Sequence, residues 1–158
     1  GHVDDVARFL APGLVACVHA PDGHPDHDVT SRNLAALNHA RDAAGRPLTV
    51  VELPAPQPWT FDYPADRFGP GGPATFPASY ANFLISNASL FVPTFGQPSD
   101  EQALRILDDA TPGRTTVPIR ADLLVVGLGT LHCLSLQQPA CCRKPNRGDA
   151  ASQSPPRS

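Results

Sequence analysis

The sequence predicts an α/β fold built from units in which two strands are followed by a helix and a third strand. Two such units can be traced, one over residues 3–53 and one over residues 83–119. Short apolar runs between glycine or proline turns are typical of strands, and apolar residues three or four positions apart are typical of helices. The units lie roughly seventy residues apart, which indicates an internal architectural repeat. Nineteen prolines in 158 residues further disfavour a helix bundle.

The first unit is a predicted hairpin followed by a helix and a strand. Its elements are strands over residues 3–10 and 14–19, a helix over residues 28–44 and a strand over residues 48–53. Pro12-Gly13 supplies the hairpin turn, and Cys17 lies in an apolar strand where it is expected to be core. Thr30 or Asp28 is expected to cap the helix, and Gly45 to end it.

A polar segment, residues 20–28, precedes this helix and carries side chains of the metal-ligand type. They are Asp22, His24, Asp26, His27 and Asp28. The segment also contains two prolines and a glycine, and it lacks the pair of histidines four residues apart that a helical metal site uses. We therefore interpret it as a polar loop rather than a metal site.

Residues 54–77 read as a long loop that contains aromatic side chains and a run of glycine and proline. A loop of this length inside a compact domain is usually functional or disordered. Its aromatic residues, Trp59 among them, either fold over the site or form a surface for a partner, and the sequence leaves both alternatives open.

The second unit repeats the order of the first. Its predicted elements are strands over residues 83–85 and 90–93, a helix from Ser99 or Asp100 to residue 109 and a strand over residues 116–119. The Asn87-Ala88 turn joins the two strands, and Pro112-Gly113 follows the helix.

Residues 123–139 are predicted to form a buried strand that stops at Gly127, turns through Gly129 and presents His132 and Cys133. Glycine allows close approach of other groups, and a thiol at the rim of a strand is well placed to meet a substrate. A buried cysteine that acts as a small hydrophobe is the alternative. Because neighbours in a strand face opposite ways, His132 is expected to be structural or to act through another residue.

At the other end of the sequence, His2 and Asp4 are two residues apart. In an extended segment both would face the same way, and with a distant cysteine they would form a covalent catalytic site. Asp5 is expected to point away from Asp4 and to be solvated.

Three segments together resemble a known family. GHVDDVARFLAPG, SYANFLISNASLFVPTFG and LGTLHCLSLQQPA are similar, in this order, to signature regions of the agmatine deiminase and bacterial peptidylarginine deiminase family. The resemblance covers residues 1–140. It implies the C-terminal portion of a pentein fold, an α/β propeller with five units around a pseudo-fivefold axis and the site in its central channel.

The resemblance also implies an activity and the residues for it. The reaction is hydrolysis of the guanidinium of agmatine to N-carbamoylputrescine and ammonia, in putrescine and polyamine biosynthesis, without metal or cofactor. Cys133 would be the nucleophile, His2 the general acid and base, and Asp4 a substrate-binding carboxylate. Arginine or peptidylarginine is the alternative substrate, for which Arg8 or Arg67 would bind the carboxylate, although surface arginines are the commoner explanation.

This sequence also departs from the family pattern. Leu128 and Thr130 stand where members generally have a second glycine and then an asparagine or glycine, which bears on activity more than on ancestry. The family's N-terminal half supplies a further substrate carboxylate, and no matching segment is present. We therefore expect the isolated chain to be inactive, and a catalytically dead fragment that serves in binding or assembly is the alternative of a different class.

Composition and charge restrict the partners and the cellular location that the sequence predicts. A net charge of −3 without a basic stripe argues against nucleic acid, and no apolar run reaches the roughly 18 residues of a membrane span. Four cysteines without framework spacing indicate reduced thiols and a cytoplasmic location. The expected partner is the guanidinium substrate, with a homo-oligomer as a further expectation. Residues 141–158, including Cys141 and Cys142, are expected to form a disordered tail outside the family pattern.

Overall fold

The computed structural model describes residues 2–65 and 71–138. Its elements in chain order are a 3-10 helix η1 (Val3–Asp5), β1 (Ala7–Ala11), β2 (Leu14–His19), α1 (His27–His39), β3 (Thr49–Pro54), β4 (Thr60–Tyr63), β5 (Gly72–Thr75), β6 (Leu84–Ile85), β7 (Ser89–Thr94), α2 (Ser99–Ala110), β8 (Thr115–Arg120) and a 3-10 helix η2 (Val125–Gly127). The predicted tail, residues 141–158, and Arg67 lie outside the described residues.

Two small sheets have the same topology. In the first, β1 pairs with β2 antiparallel and β2 pairs with β3 parallel, so that α1 is the crossover between β2 and β3. In the second, β6 pairs with β7 antiparallel and β7 with β8 parallel, across α2. The predicted order of strand, strand, helix and strand is therefore confirmed in both units, while a propeller around a common axis stays a prediction.

The prediction for the beginning of the chain was wrong in detail. Residues 3–5 form a 3-10 turn rather than the start of a strand, and β1 begins only at Ala7. The amide N–H groups of Asp5 and Val6 donate to the carbonyls of His2 and Val3, which closes the turn. Extended backbone would leave these donors to find a strand partner elsewhere.

Helix α1 is shorter than predicted. It ends at His39 because Ala40 is already extended, and the Asp42 carboxylate accepts hydrogen bonds from the amides of Ala44 and Arg46 in the turn that follows. Gly45, with a φ of 77°, belongs to this turn and not to the helix end. An Asp side chain that satisfies nearby amides competes with continued helix at such a position.

The predicted helix caps also differ. Neither helix has a capping hydrogen bond from its N-cap side chain. In α2 the carboxylate of Asp100 instead accepts hydrogen bonds from the amides of Phe95, Gly96 and Gln97 in the preceding turn. The acid thus binds the loop that enters the helix rather than the first turn of the helix itself.

The segment predicted as a loop over residues 54–77 contains an antiparallel pair, β4 and β5. Trp59 packs against the core and contacts Phe76 edge to face, with ring centroids 6.2 Å apart. This tryptophan is therefore part of the packing of the domain, rather than an aromatic residue free to fold over a site.

The core lies between the two sheets and α2. Its largest fully buried side chains include Tyr80, Phe83, Leu53, Leu90, Leu107 and Val92. Cys17 is fully buried as predicted, and burial raises the pKa of its thiol to about 11. In the polar segment before α1, His24 and His27 form hydrogen bonds with the carbonyls of Pro56 and Ala20. Neither helix of the described chain has the length and apolar character needed to cross a membrane.

Candidate active site

The segment that carries Cys133 is not the buried strand that the sequence predicts. Residues 125–127 form η2, and residues 131–134 form a turn in which the Leu134 amide donates to the Thr130 carbonyl. Leu123 is 83% exposed, whereas Val125 is fully buried. The last hydrogen bond to a neighbouring strand before this segment runs from the Ala121 amide to the Thr94 carbonyl. The chain then forms η2, in which Val125 is the fully buried residue.

Gly129, which precedes the turn, allows the side chain of Cys133 to pack closely against the backbone. A Cβ atom on Gly129 would lie 2.5 Å from the Cβ and 2.9 Å from the Sγ of Cys133, distances that no side chain tolerates. Gly127, in contrast, has open space around it. Between them Leu128 adopts a φ of 66°, the left-handed region that favours glycine. Of the two glycines singled out from the sequence, Gly129 is the one that the site requires.

The structure brings together the three residues predicted from the two ends of the sequence. Nitrogen, oxygen and sulfur atoms of His2, Asp4 and Cys133 all lie within 4.8 Å of one another. The Sγ atom of Cys133 is 3.2 Å from Asp4 Oδ2 and donates to it. The local structure differs from the prediction, since the 3-10 turn rather than an extended segment places His2 and Asp4 here.

Asn82 is the central residue of the site and was missed from the sequence. It is fully buried, and its Nδ2 lies 2.9 Å from Asp5 Oδ1, 3.1 Å from Cys133 Sγ and 3.3 Å from Asp4 Oδ2. One amide thus contacts both carboxylates and the thiol. The signal that could have found Asn82 is its place in SYANFLISNASLFVPTFG, one of the three segments that carry the family resemblance.

The oxygen of the same side chain holds the turn that presents the thiol. Asn82 Oδ1 accepts hydrogen bonds from the Thr130 hydroxyl at 2.9 Å, the His132 amide at 3.0 Å and the Cys133 amide at 3.3 Å. Buried polar groups are costly without partners, so these bonds tie the position of the thiol to the position of Asn82.

His132 contacts the site directly. Its Nδ1 lies 2.7 Å from Asp4 Oδ2, which was not expected for a residue facing away from Cys133. The expectation assumed a strand, whereas in a turn both neighbours can reach the same carboxylate. His132 therefore contacts Asp4, while the role through another residue stays a prediction.

Charge and burial shift the pKa values of the site. Burial raises the pKa of Cys133, and the hydrogen bond to Asp4 together with its negative charge adds to this, although Asn82 opposes it. Burial also acts to raise the pKa of Asp4, but hydrogen bonds from His132 and Cys133 outweigh it and the pKa is lowered. The resting site therefore contains an ionised Asp4 and a protonated thiol.

Asp5 is not the solvated neighbour that was predicted. It is partly buried, accepts a hydrogen bond from Asn82, and its pKa is raised by burial and then by the charge of Asp4. Two carboxylates on one amide give the site a marked negative character, which suits a cationic ligand.

Arg8 is likewise not a free surface arginine. Its guanidinium is partly buried, donates to the carbonyl of Phe83 and lies 4.7 Å from the centroid of the Phe83 ring. Burial lowers its pKa, while the charges of Asp4 and Cys133 act in the opposite direction. Arg8 thus braces the residue that follows Asn82.

Comparison with known proteins identifies a consistent set of relatives. A family profile described as Porphyromonas-type peptidyl-arginine deiminase matches residues 1–139. The agmatine deiminase of Stutzerimonas stutzeri is 34% identical over 152 residues, which cover 89% of this chain and 40% of the relative. The chain spans about two fifths of the length of the curated relatives that it matches.

Solved structures agree with the sequence comparison. The agmatine deiminase of Enterococcus faecalis superposes with a TM-score of 0.78 at 34% identity, over 84% of this chain and 38% of that one. The agmatine deiminase of C. jejuni superposes with a TM-score of 0.62 at 26% identity, over 84% of this chain and 36% of that one. The family resemblance drawn from the three sequence segments is confirmed.

Proposed function

Because the chain belongs to the Porphyromonas-type peptidyl-arginine deiminase family, we propose that it is the C-terminal part of an agmatine deiminase. The reaction is hydrolysis of a C–N bond in the guanidinium of agmatine, which yields N-carbamoylputrescine and ammonia. The observation that carries the proposal is the meeting of Cys133 Sγ and Asp4 Oδ2 at 3.2 Å, with His2 in the same cluster.

Asp4 is the residue that binds the guanidinium. The cation is planar and presents paired N–H donors, which a carboxylate accepts in a bidentate manner. Asp4 has a lowered pKa and is therefore ionised near neutral pH. The hydrogen bonds from His132 and Asn82 fix its orientation, and Asp5 adds a second negative charge close by.

Cys133 forms the covalent bond. In the resting site its pKa is raised, so the thiol keeps its proton until the substrate cation lies beside it and favours the thiolate. The thiol proton passes to His2, the sulfur forms a bond to the guanidinium carbon, and the tetrahedral centre collapses. The C–N bond breaks as the leaving nitrogen takes the proton from His2, and ammonia departs.

The second half of the reaction returns the site to its starting state. Water gives a proton to His2, its oxygen bonds to the amidino carbon, and the C–S bond breaks. The sulfur leaves as thiolate and regains the proton from His2, while the proton that stays on the new oxygen is released and converts the departed ammonia to ammonium, so that guanidinium and water give the neutral ureido product and ammonium. The product carries the ureido group.

Agmatine fits the described residues better than arginine does. An arginine substrate needs a cation for its α-carboxylate, and Arg8 is the described residue that was expected to supply one. Its guanidinium is already committed to the Phe83 carbonyl and ring. Arginine or peptidylarginine is the second candidate, and the family description favours the latter.

The proposal extends to the setting of the enzyme. Cys17 and Cys133 are free thiols, as suits a cytoplasmic enzyme of putrescine biosynthesis. We also propose that the protein forms a homo-oligomer. The described site holds the carboxylates Asp4 and Asp5, and the remaining length of the relatives would complete it, so we propose that the isolated 158-residue chain turns over no substrate.

The test is an assay for ammonia and ureido product with agmatine and arginine side by side. It uses the longest protein that carries this segment, its Cys133→Ala variant and the 158-residue chain. We expect agmatine turnover that disappears in the variant and in the short chain. Turnover of arginine alone would favour the second candidate, and no turnover by the folded long protein would favour the binding or assembly role.

A further inference from the structure

We propose that His2, Asp4 and Cys133 form a three-ligand site for Zn²⁺, whose occupation makes the thiol unreactive. The argument rests on the ligand set and its geometry, and it does not depend on the proposed reaction. Imidazole nitrogen, carboxylate oxygen and thiolate sulfur are the three donor types that zinc uses in proteins.

The distances suit a tetrahedral ion. Zinc bonds of about 2.0 Å to nitrogen and oxygen and about 2.3 Å to sulfur place ligand atoms roughly 3–4 Å apart. Cys133 Sγ and Asp4 Oδ2 are already 3.2 Å apart, and the whole cluster lies within 4.8 Å. His2 is exposed and precedes the 3-10 turn, so rotation of its side chain can close the remaining distance.

The surroundings of the cluster resemble those of a metal site. Asp4 is held by His132 Nδ1 at 2.7 Å, and Cys133 Sγ lies 3.1 Å from the buried amide nitrogen of Asn82. Outer partners of this kind orient metal ligands and tune them. Three protein ligands leave the fourth position of the ion to water.

Binding of Zn²⁺ replaces the proton of the Cys133 thiol. The thiol proton, which in the resting site is donated to Asp4, is released to solvent, and the sulfur forms a bond to zinc in its place. The sulfur lone pair that would attack an electrophile is then engaged. Zinc at this site is therefore an inhibitor of thiol chemistry rather than a helper in it.

Cobalt is the probe for this site, because a thiolate bound to Co²⁺ gives a near-ultraviolet charge-transfer band. The experiment uses the full chain with Cys141→Ser and Cys142→Ser, which removes the tail thiols, under reducing and oxygen-free conditions. We expect the band to saturate at one Co²⁺ per chain and to be displaced by Zn²⁺. It is expected to be absent in Cys133→Ala.

Matched histidine variants test the ligand set. His2→Ala is expected to weaken Co²⁺ binding by at least about tenfold, the loss that even outer partners of a metal ligand cause. His39→Ala removes an exposed histidine at the end of α1 and is expected to change nothing. In parallel, Zn²⁺ should protect Cys133 from iodoacetamide, and a chelator should restore its reactivity.

Three results would overturn the proposal. They are a charge-transfer band that persists in Cys133→Ala, equal binding by His2→Ala and His39→Ala, and no band in the parent chain. Cys133 does not belong to the hydrophobic core, so Cys133→Ala removes no core side chain.

Discussion

Asn82 joins the parts of the site through one buried amide. Its nitrogen contacts Asp4, Asp5 and Cys133, and its oxygen accepts three hydrogen bonds from the turn that carries the thiol. Because Asn82 is fully buried, loss of its amide would leave several donors and acceptors without their hydrogen-bond partner.

Replacement of Asn82 should therefore lower the free energy of unfolding and displace the thiol of Cys133. We expect Asn82→Ala to reduce the free energy of unfolding by about 2–4 kcal/mol, measured by urea denaturation. The control is Asn87→Ala, which removes an exposed amide in a turn. It should change the free energy of unfolding by less than about 0.5 kcal/mol. Equal effects of the two variants would contradict the role of Asn82.

Asp4 holds the thiol in its protonated form. Besides burial, its hydrogen bond and charge raise the pKa of Cys133, so removal of the charge should lower that pKa and enlarge the thiolate fraction below it. We expect Asp4→Asn to speed iodoacetamide modification of Cys133 near neutral pH by roughly threefold to tenfold, because a lower pKa leaves more of the thiol ionised. The midpoint of the pH profile should move to lower pH.

Peptide mass mapping separates Cys133 from the tail cysteines in this measurement. Asp28→Asn is the control, since it removes an exposed carboxylate in the first turn of α1 and should leave the rate unchanged. Slower modification of Cys133 in Asp4→Asn would show that the carboxylate promotes the thiolate instead of opposing it.

At the scale of the elements, the turn after η2 is built around the contact between Gly129 and Cys133. A methyl group at Gly129 would lie 2.5 Å from Cys133 Cβ, so Gly129→Ala must displace the thiol turn. We expect a loss of about 1–3 kcal/mol in the free energy of unfolding and altered modification of Cys133. Gly127→Ala, with open space around it, should retain both properties. Equal tolerance at both positions would contradict this packing.

Leu128 places a branched side chain in the left-handed region at the end of η2. Its side chain is 65% exposed, so little packing offsets the strain. We expect Leu128→Gly to raise the free energy of unfolding by about 0.5–1 kcal/mol. Leu134→Gly, at a similarly exposed leucine with negative φ, should lower it by a similar amount. Thermal unfolding is the measurement, and the midpoint temperature should rise in Leu128→Gly and fall in Leu134→Gly.

The same elements show how far sequence reasoning reaches. Both strand, strand, helix and strand units follow from periodicity and turns, because each is a local pattern with short connections. The strand predicted over residues 123–139 was wrong because an apolar run does not reveal whether a partner strand exists, and here only Val125 is fully buried among the apolar residues of η2. Turns made by Asp42 and Asp100 depend on single side chains that compete with helix geometry.

Site residues were predictable to a different extent. The family motifs mark His2, Asp4 and Cys133, whose chemistry is distinctive, and the structure places the three side chains together. Asn82 was missed because its partners lie 48 to 78 residues away, and an asparagine in an apolar segment has many structural explanations. Its function as a link appears only once the fold joins the three segments.

At the scale of the whole molecule, several large apolar side chains are exposed. Leu123, Leu134 and Leu136 are 83%, 68% and 97% exposed, and Phe9 on β1 is 54% exposed. Since the chain spans about two fifths of the length of its relatives, we expect these residues to be covered in a protein of the relatives' full length.

The central claim is that Cys133 attacks the guanidinium carbon. The most direct measurement is rapid acid quenching of the longest protein that carries this segment during agmatine turnover, followed by intact and peptide mass analysis. We predict a transient adduct with the mass of agmatine less ammonia, located on Cys133 and absent in Cys133→Ala. Agmatine turnover without any adduct, or an adduct on another residue, would contradict the account.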